Sequence, residues 1–150
     1  MILLILLCIR CQYAPYAEDE TIREPRRNDV LGTDKFEKET IIGNLKHDLT
    51  SRSALILNSD GTFEAVYLPN FSGTSDFNYQ GNISAKGTWK IQTVGSVSQW
   101  KGNASVWGLQ LTSLPENLQS MSFMGDKPPY KLLVIYGDPD GGAVMILEKK

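Results

Sequence analysis

Apolar and polar residues alternate along the chain from Ile41 onward, and this two-residue period is typical of β-strands. In the stretch 86–93, for example, Trp89 and Ile91 fall on one face and polar residues on the other. The pattern predicts strands at 54–57, 62–68, 86–93, 105–111, 130–136 and 143–147. The last two are rich in valine, isoleucine and leucine, which indicates burial on both faces.

The same alternation predicts which large side chains face the core. In the stretch 62–68 it places Phe63, Ala65 and Tyr67 on one face. Trp89 and Trp107 also fall on inward faces, so packing in the core is their predicted role.

Turn residues separate the predicted strands. The motifs Asn58-Ser-Asp-Gly61 and Gly137-Asp-Pro-Asp-Gly-Gly142 join consecutive strands, because Asp-Gly supplies the positive φ that tight hairpin turns require. Longer loops are predicted at 69–85 and 114–129, the second with a helical turn at 115–119. We therefore predict an all-β fold in which about seven or eight sequential antiparallel strands form a small lipocalin- or calycin-like meander barrel.

The N-terminus carries an apolar run, residues 2–7, followed by Cys8 and Cys11. The run is too short to span a bilayer, which needs about 20 apolar residues, and it is typical of an export signal. The sequence thus predicts three parts: a leader (1–17), a charged tether (18–40) and a β-barrel domain (41–150). The tether is predicted to contain one short helix, over residues 34–40.

Two outcomes of export are open. A peptidase that cuts after a small residue, Ala14 or Ala17, would release a secreted protein. The leader also resembles those of bacterial lipoproteins, which implies acylation of Cys8 or Cys11 and attachment to a membrane of the cell envelope. Those leaders have small residues before the cysteine, whereas Leu7 precedes Cys8 here.

Composition excludes several function classes. The chain has 150 residues, 41% hydrophobic and 21% charged, and its net charge of -2 with dispersed basic residues predicts no nucleic-acid binding. Its two cysteines both lie in the leader, so the barrel is predicted to hold no disulfide. The Cys8-Ile-Arg-Cys11 spacing has no further thiol or imidazole cluster beside it, so we predict no metal site and no cofactor.

No group of residues indicates catalysis. His47 is the only histidine, and nothing in the sequence around it is typical of a catalytic base. The stretch 138–142 lacks the later ligands of a calcium loop and is explained by a hairpin turn. We therefore predict that the protein is not an enzyme and has no catalytic residues.

Aromatic residues outside the predicted strands are the candidate binding residues. Phe71, Phe77 and Tyr79 lie in the predicted loop 69–85, Trp100 falls at a predicted exposed loop tip, and Phe123 lies between two methionines. Such side chains either line a ligand or partner site at one end of a barrel or fold back onto the core.

A set of short motifs resembles bacterial lipocalin-like secreted proteins and lipoproteins. The motifs are Ile42-Gly43, Leu55-Ile-Leu-Asn-Ser-Asp-Gly-Thr-Phe63, Gly87-Thr-Trp89 and Gly137-Asp-Pro-Asp140, within residues 41–148. The resemblance implies a barrel and an envelope location, and it says little about function. Similar domains often have tryptophan two residues after the first-strand glycine, where this chain has Leu45.

Three functions remain open at this point. The first is a binding module for a small apolar ligand or a protein partner, with recognition at the surface or rim because bulky inward residues fill the barrel. The second is a structural or envelope-stress protein without a small ligand. The third, an enzyme with a cryptic site, lacks a supporting constellation of residues.

Overall fold

The predicted all-β fold is confirmed by a computed structural model that describes residues 16, 18–36, 52–72, 78–137 and 144–149. Eight strands form one closed antiparallel barrel in chain order. A short helix, α1, precedes them, and a 3₁₀ turn lies between β5 and β6. The elements are α1 (Arg27–Val30), β1 (Gly32–Phe36), β2 (Ala54–Leu57), β3 (Thr62–Ser72), β4 (Asn78–Gln99), β5 (Gly102–Leu111), the 3₁₀ turn (Glu116–Leu118), β6 (Ser120–Met124), β7 (Lys131–Ile135) and β8 (Val144–Lys149).

The ring closes because β1 pairs with strands on both of its edges. In one register Asp34 lies opposite Leu55 of β2, and on the other edge it lies opposite Lys149 of β8. Every other neighbouring pair in the ring is an antiparallel hairpin pair. The ordering therefore follows directly from sequential hairpins, as the sequence predicts.

Side chains fill the centre of the barrel. The largest fully buried ones come from six of the strands and from the 3₁₀ turn; they are Phe63, Phe123, Leu55, Leu68, Leu109, Leu111, Leu118, Met121, Leu132, Met145 and Leu147. Trp89 is also buried, and Trp107 is half-buried against the same cluster. A cavity beside Asp34 and Tyr130 is too small to hold a water molecule.

A β-bulge in β3 reverses the predicted face of Tyr67. The pairing with β4 shifts between Ala65 and Leu68, and Tyr67 has a φ of 49°. As a result Leu68 is buried, while Tyr67 is 49% exposed. The prediction that Tyr67 shares the inward face of Phe63 is wrong, because an extra residue in one strand moves the side chains that follow it to the other face, up to the next register shift at Pro69.

The predicted loop 69–85 is wrong, since most of it is strand. β3 continues to Ser72, and β4 starts at Asn78 and runs to Gln99. β4 serves two neighbours in turn: residues up to Thr88 pair with β3, and residues from Trp89 pair with β5. A single long strand that changes partner is how this barrel accommodates its strand stagger.

The predicted loop 114–129 also contains a strand, β6, which follows the 3₁₀ turn. The turn itself confirms the helical turn predicted at 115–119. Leu114 and Leu118 are buried in the core, and the turn packs against β3, β6 and β7. Because these strands lie on different sides of the ring, the connection covers one end of the barrel.

The barrel begins before residue 41, the predicted start of the domain. β1 occupies residues 32–36, which the sequence analysis assigned to the tether, and 34–36 are strand where a helix is predicted. Pairing on both edges holds this segment extended, although its sequence has no apolar alternation. His47, Leu45 and the Ile42-Gly43 motif lie outside the described residues.

The turn predicted at 58–61 is confirmed. Gly61 has a φ of 88°, and its amide donates to the carbonyl of Asn58 at 3.1 Å. Thr62 donates from its amide and hydroxyl to Asp60, and these bonds lower the pKa of the Asp60 carboxyl. The predicted turn at 137–142 lies outside the described residues except for Gly137.

Helix α1 is attached to this turn through Trp89. The indole Nε1 donates to the carbonyl of Asn58 at 3.0 Å, and the Arg27 guanidinium lies 4.3 Å from the ring centroid. Arg27 also donates to the carbonyl of Ser59. The arrangement combines a cation–π contact with two hydrogen bonds, so it fixes the segment before β1 against the barrel.

Candidate functional site

The predicted binding aromatics do not form one site. Phe71 and Phe123 are 4% and 1% exposed and belong to the core. Tyr79 is half-buried against that core, whereas Trp100 is completely exposed. Phe77, and the candidate acylation sites Cys8 and Cys11, lie outside the described residues.

Phe71 belongs to an aromatic cluster that the sequence analysis did not identify as a unit. Its ring centroid lies 5.5 Å from that of Tyr79 and 4.9 Å from that of Tyr136, the latter edge-on. The buried Tyr136 hydroxyl donates to the carbonyl of Pro69 at 2.9 Å, and burial raises the pKa of Tyr136 well above its ordinary value. The cluster therefore joins β3, β4 and the end of β7, which is a structural role.

Replacing Tyr136 with phenylalanine should lower the free energy of unfolding by about 1–2 kcal/mol, because the buried carbonyl of Pro69 loses its donor. Tyr79→Phe is the matched control: its hydroxyl donates to Asn82 at an exposed position, and we expect a loss below about 0.5 kcal/mol. Urea unfolding followed by tryptophan fluorescence measures both. Equal losses in the two variants would contradict the role given to Tyr136.

A groove of about 510 Å³ lies beside the cluster, between β3 and the 3₁₀ turn. Asn117 spans it by donating from Nδ2 to the carbonyl of Phe71 at 2.5 Å and to Oδ1 of Asn70 at 3.2 Å. These bonds pair the side chains of Asn70 and Asn117 within the protein itself. Asn117 thus attaches the 3₁₀ turn to β3 across this groove.

The more distinctive feature is a two-stranded arm, residues 94–106, formed by the end of β4 and the start of β5. The two strands pair from Gly95 opposite Val106 to Gln99 opposite Gly102. β3 pairs with β4 only as far as Thr88, and β6 pairs with β5 only from Gly108. Within the described part of the chain, the arm therefore has no strand neighbour on either edge.

Trp100 stands at the tip of this arm with 101% relative exposure, which agrees with its predicted place at a loop tip. Glycine at 102, with a φ of 118°, completes the turn. The other two tryptophans are buried or half-buried. A fully exposed indole is an unusual use of this side chain, whose large apolar surface is normally covered.

The two faces of the arm differ in polarity. The inner face carries Val97 and Ala104, both partly covered, and the buried Val106. The outer face is exposed and polar; its residues are Ser96, Ser98, Asn103 and Ser105. One side of the arm is thus suited to apolar contact and the other to water.

An N-terminal segment, residues 18–22, lies between β5 and β6 at the base of the arm. The Trp107 amide donates to the carbonyl of Thr21 at 2.9 Å, and the Thr21 amide donates to that of Phe123 at 2.8 Å. Gly125 donates to the carbonyl of Asp19 and accepts from the Thr21 hydroxyl. The segment therefore fills the gap where β5 and β6 diverge.

The arm and the N-terminal segment enclose a groove of about 430 Å³, here called the arm groove. Among the described residues, its lining combines apolar side chains with three carboxylates and includes no basic side chain. The lining residues are Glu18, Glu20, Ile22, Val97, Ser98, Gln99, Trp100 and Asp126. Burial raises the pKa of Glu20, and a hydrogen bond from Ser122 opposes this shift.

Trp100 is predicted from the sequence as a candidate binding residue, whereas these carboxylates are not. Glu18 and Glu20 fall in a stretch of mixed charge that is typical of a solvated tether, so nothing local marks them as part of a groove. Their position follows from the pairing of residues 19–21 with β5 and β6. That pairing is a long-range contact and has no signature in the sequence.

Comparison of the chain with protein-family models, with curated proteins and with solved structures finds no match. Across the described residues, no three acidic, histidine or cysteine side chains come together as a metal-binding group. No helix in that part of the chain has the length and apolarity needed to cross a membrane.

Proposed function

We propose that this protein is an exported binding module of the cell envelope that recognises a partner protein through its arm. The observation that carries the proposal is Trp100, which is completely exposed at the tip of a projecting hairpin. Tryptophan is enriched among the residues that dominate protein–protein binding energy. Exposure of the ring in the free protein leaves its whole surface for a partner to cover.

The packed interior supports surface recognition over sequestration of a small ligand. Phe63, Phe123 and Met145 belong to one buried cluster, and the small cavity beside Asp34 does not admit water. A barrel that holds a ligand needs an open interior of at least about 300 Å³. The grooves of that size lie on the outside.

The envelope location rests on the sequence. The apolar run 2–7 and the cysteines at 8 and 11 support export, and the resemblance to lipocalin-like lipoproteins supports acylation of one of these cysteines. An anchored barrel would then present the arm near the membrane surface.

A photo-crosslinking amino acid at position 100 of the full chain, expressed in its native host, tests the proposal. Position 90 is the matched control, because Lys90 is exposed on β4, the strand that leads to Trp100, but lies outside the arm. We expect one protein crosslinked through position 100 and none through position 90. Equal crosslinking at both positions, or none at either, would contradict partner recognition by the arm.

The variant Trp100→Ala then measures the contribution of the indole. We expect the dissociation constant for the crosslinked partner to rise about 30-fold, the effect of losing about 2 kcal/mol at a binding hot spot. The melting temperature should stay unchanged, because the side chain makes no buried contact in the free protein. An unchanged dissociation constant would remove Trp100 from the interface.

A further inference from the structure

We infer that the arm groove binds a basic polypeptide segment in extended conformation. The inference rests on the proposed function and names the chemistry of the partner. Three properties of the groove lead to it: its apolar wall, its charge, and the free backbone edge beside it.

The apolar wall is provided by both sides of the groove. Val97 and Trp100 come from the arm, and Ile22, which is 38% exposed, comes from the N-terminal segment. The groove of about 430 Å³ has room for a few side chains and not for a folded domain. This size favours a segment of chain as the occupant.

The charge of the groove selects a basic segment. Glu18, Glu20 and Asp126 line it together, and Glu20 is partly removed from water. A lysine or arginine side chain of a partner would donate a charged hydrogen bond to these carboxylates, in place of the water that burial has removed from Glu20. The same three carboxylates repel anionic surfaces, which argues against a phospholipid membrane or a nucleic acid as the occupant.

The backbone of β5 offers an edge for an extended chain. The Trp107 amide points away from β4 and donates to Thr21, so by the two-residue period the amides of Ser105 and Asn103 point to that same edge. Among the described residues, no strand pairs with this edge between Gly102 and Val106. The N-terminal segment that lines the groove already bonds to this edge at Trp107, and an added strand would continue that main-chain pairing along β5.

The indole adds a contact for cationic side chains. An arginine or lysine placed over an exposed tryptophan ring gains a cation–π interaction of about 0.5–1 kcal/mol. Trp100 and the carboxylates would thus bind the same basic residues from two sides. Exposed Lys101 follows Trp100 but does not line the groove.

Synthetic nine-residue peptides test the inference with the full chain. One peptide alternates lysine and valine, a second glutamate and valine, and a third serine and valine. Fluorescence anisotropy should show that the lysine peptide binds at least tenfold more tightly than the other two. Its binding should weaken several-fold between low and high salt, because exposed ion pairs are screened.

Charge-neutral variants locate the binding. The triple change Glu18→Gln, Glu20→Gln and Asp126→Asn should weaken binding of the lysine peptide at least tenfold. The matched control removes the same number of negative charges outside the groove, at Asp60, Glu64 and Glu116. It should leave the dissociation constant within about twofold, because none of these three carboxylates lines the groove.

The outcomes separate this inference from the proposed function. Crosslinking through position 100 together with equal binding of all three peptides, or with no effect of the triple variant, would overturn the basic partner and leave the arm as an interface. Binding of phosphatidylglycerol vesicles that requires Trp100 would assign the groove to a membrane and overturn it as well. Loss of both the crosslink and the peptide binding would overturn both proposals.

Discussion

Replacement of Gly108 by alanine is expected to destabilise the barrel by about 3 kcal/mol, the upper range for forcing extra volume into a packed site. A Cβ at this position would lie 2.2 Å from the carbonyl oxygen of Met121 and 2.6 Å from Cγ2 of Val94. The first of these atoms is backbone and cannot rotate away. β5 and β6 pair over only three residue pairs, starting at Gly108, so any separation of the strands there weakens the whole contact.

Gly95→Ala is the matched control for this prediction. Gly95 also lies in the β4–β5 sheet, but a Cβ there meets nothing within 4 Å, and its free energy of unfolding should change by less than about 0.5 kcal/mol. Guanidinium unfolding of both variants provides the comparison. A Gly108→Ala protein as stable as the Gly95→Ala protein would show that β5 and β6 separate without cost.

Asp34 is expected to make the protein less stable as the pH rises. The residue is 2% exposed on β1, next to a cavity lined by Leu57, Phe123 and Tyr130. Burial raises the pKa of its carboxyl to about 7, although the charge of Lys149 acts in the opposite direction. The folded state therefore holds a proton that the unfolded chain releases near pH 4, and stability falls between pH 4 and 7.

The variant Asp34→Asn should remove this part of the pH dependence. At pH 8 we expect it to exceed the wild type in free energy of unfolding by up to about 4 kcal/mol, and at pH 4 by little, since the wild-type side chain is then protonated. Urea unfolding from pH 4 to pH 8 measures the slope. Glu20, whose pKa is also raised, contributes a slope of the same sign that both proteins share.

The control for the pH experiment is Asp60→Asn. Hydrogen bonds from Thr62 lower the pKa of Asp60, so its contribution to stability is present above pH 4 and is lost as the pH falls through its folded-state pKa. Asp60→Asn should therefore lower the free energy of unfolding above pH 4 and change it little at lower pH, whereas Asp34→Asn should raise it at high pH. If the free energy of unfolding of Asp34→Asn falls with pH as steeply as that of the wild type, Asp34 is not the group that causes the fall.

Local patterns were sufficient to predict the strands in which apolar and polar residues alternate clearly. They were also sufficient to predict the turn at 58–61, which joins β2 to β3. The prediction of 54–57 matches β2, and Gly61 adopts the positive φ that its turn requires. β6 and the start of β4 also alternate, with Met121 and Phe123 buried on either side of Ser122, and Tyr79, Ile83 and Ala85 half-buried between polar residues. Their small or polar composition makes them look like loops.

Other features depend on contacts that no local pattern records. Tyr67 reaches solvent because β3 and β4 shift register, and β1 exists because two distant strands pair with it. The inward-facing Asp34 breaks the alternation that would have marked β1 as a strand. In the arm, the exposure of Trp100 follows from its place in the sequence, whereas the groove needs the N-terminal segment to lie beside β5.

The pairing of β1 with β8 imposes an order on folding. Asp34 lies opposite Lys149, so the ring cannot close until nearly all of the described chain has been synthesised. Until then β1 and β7 each keep an open edge that is able to pair with another chain. Arrival of β8 removes both open edges at once, because it pairs with β1 on one side and with β7 on the other.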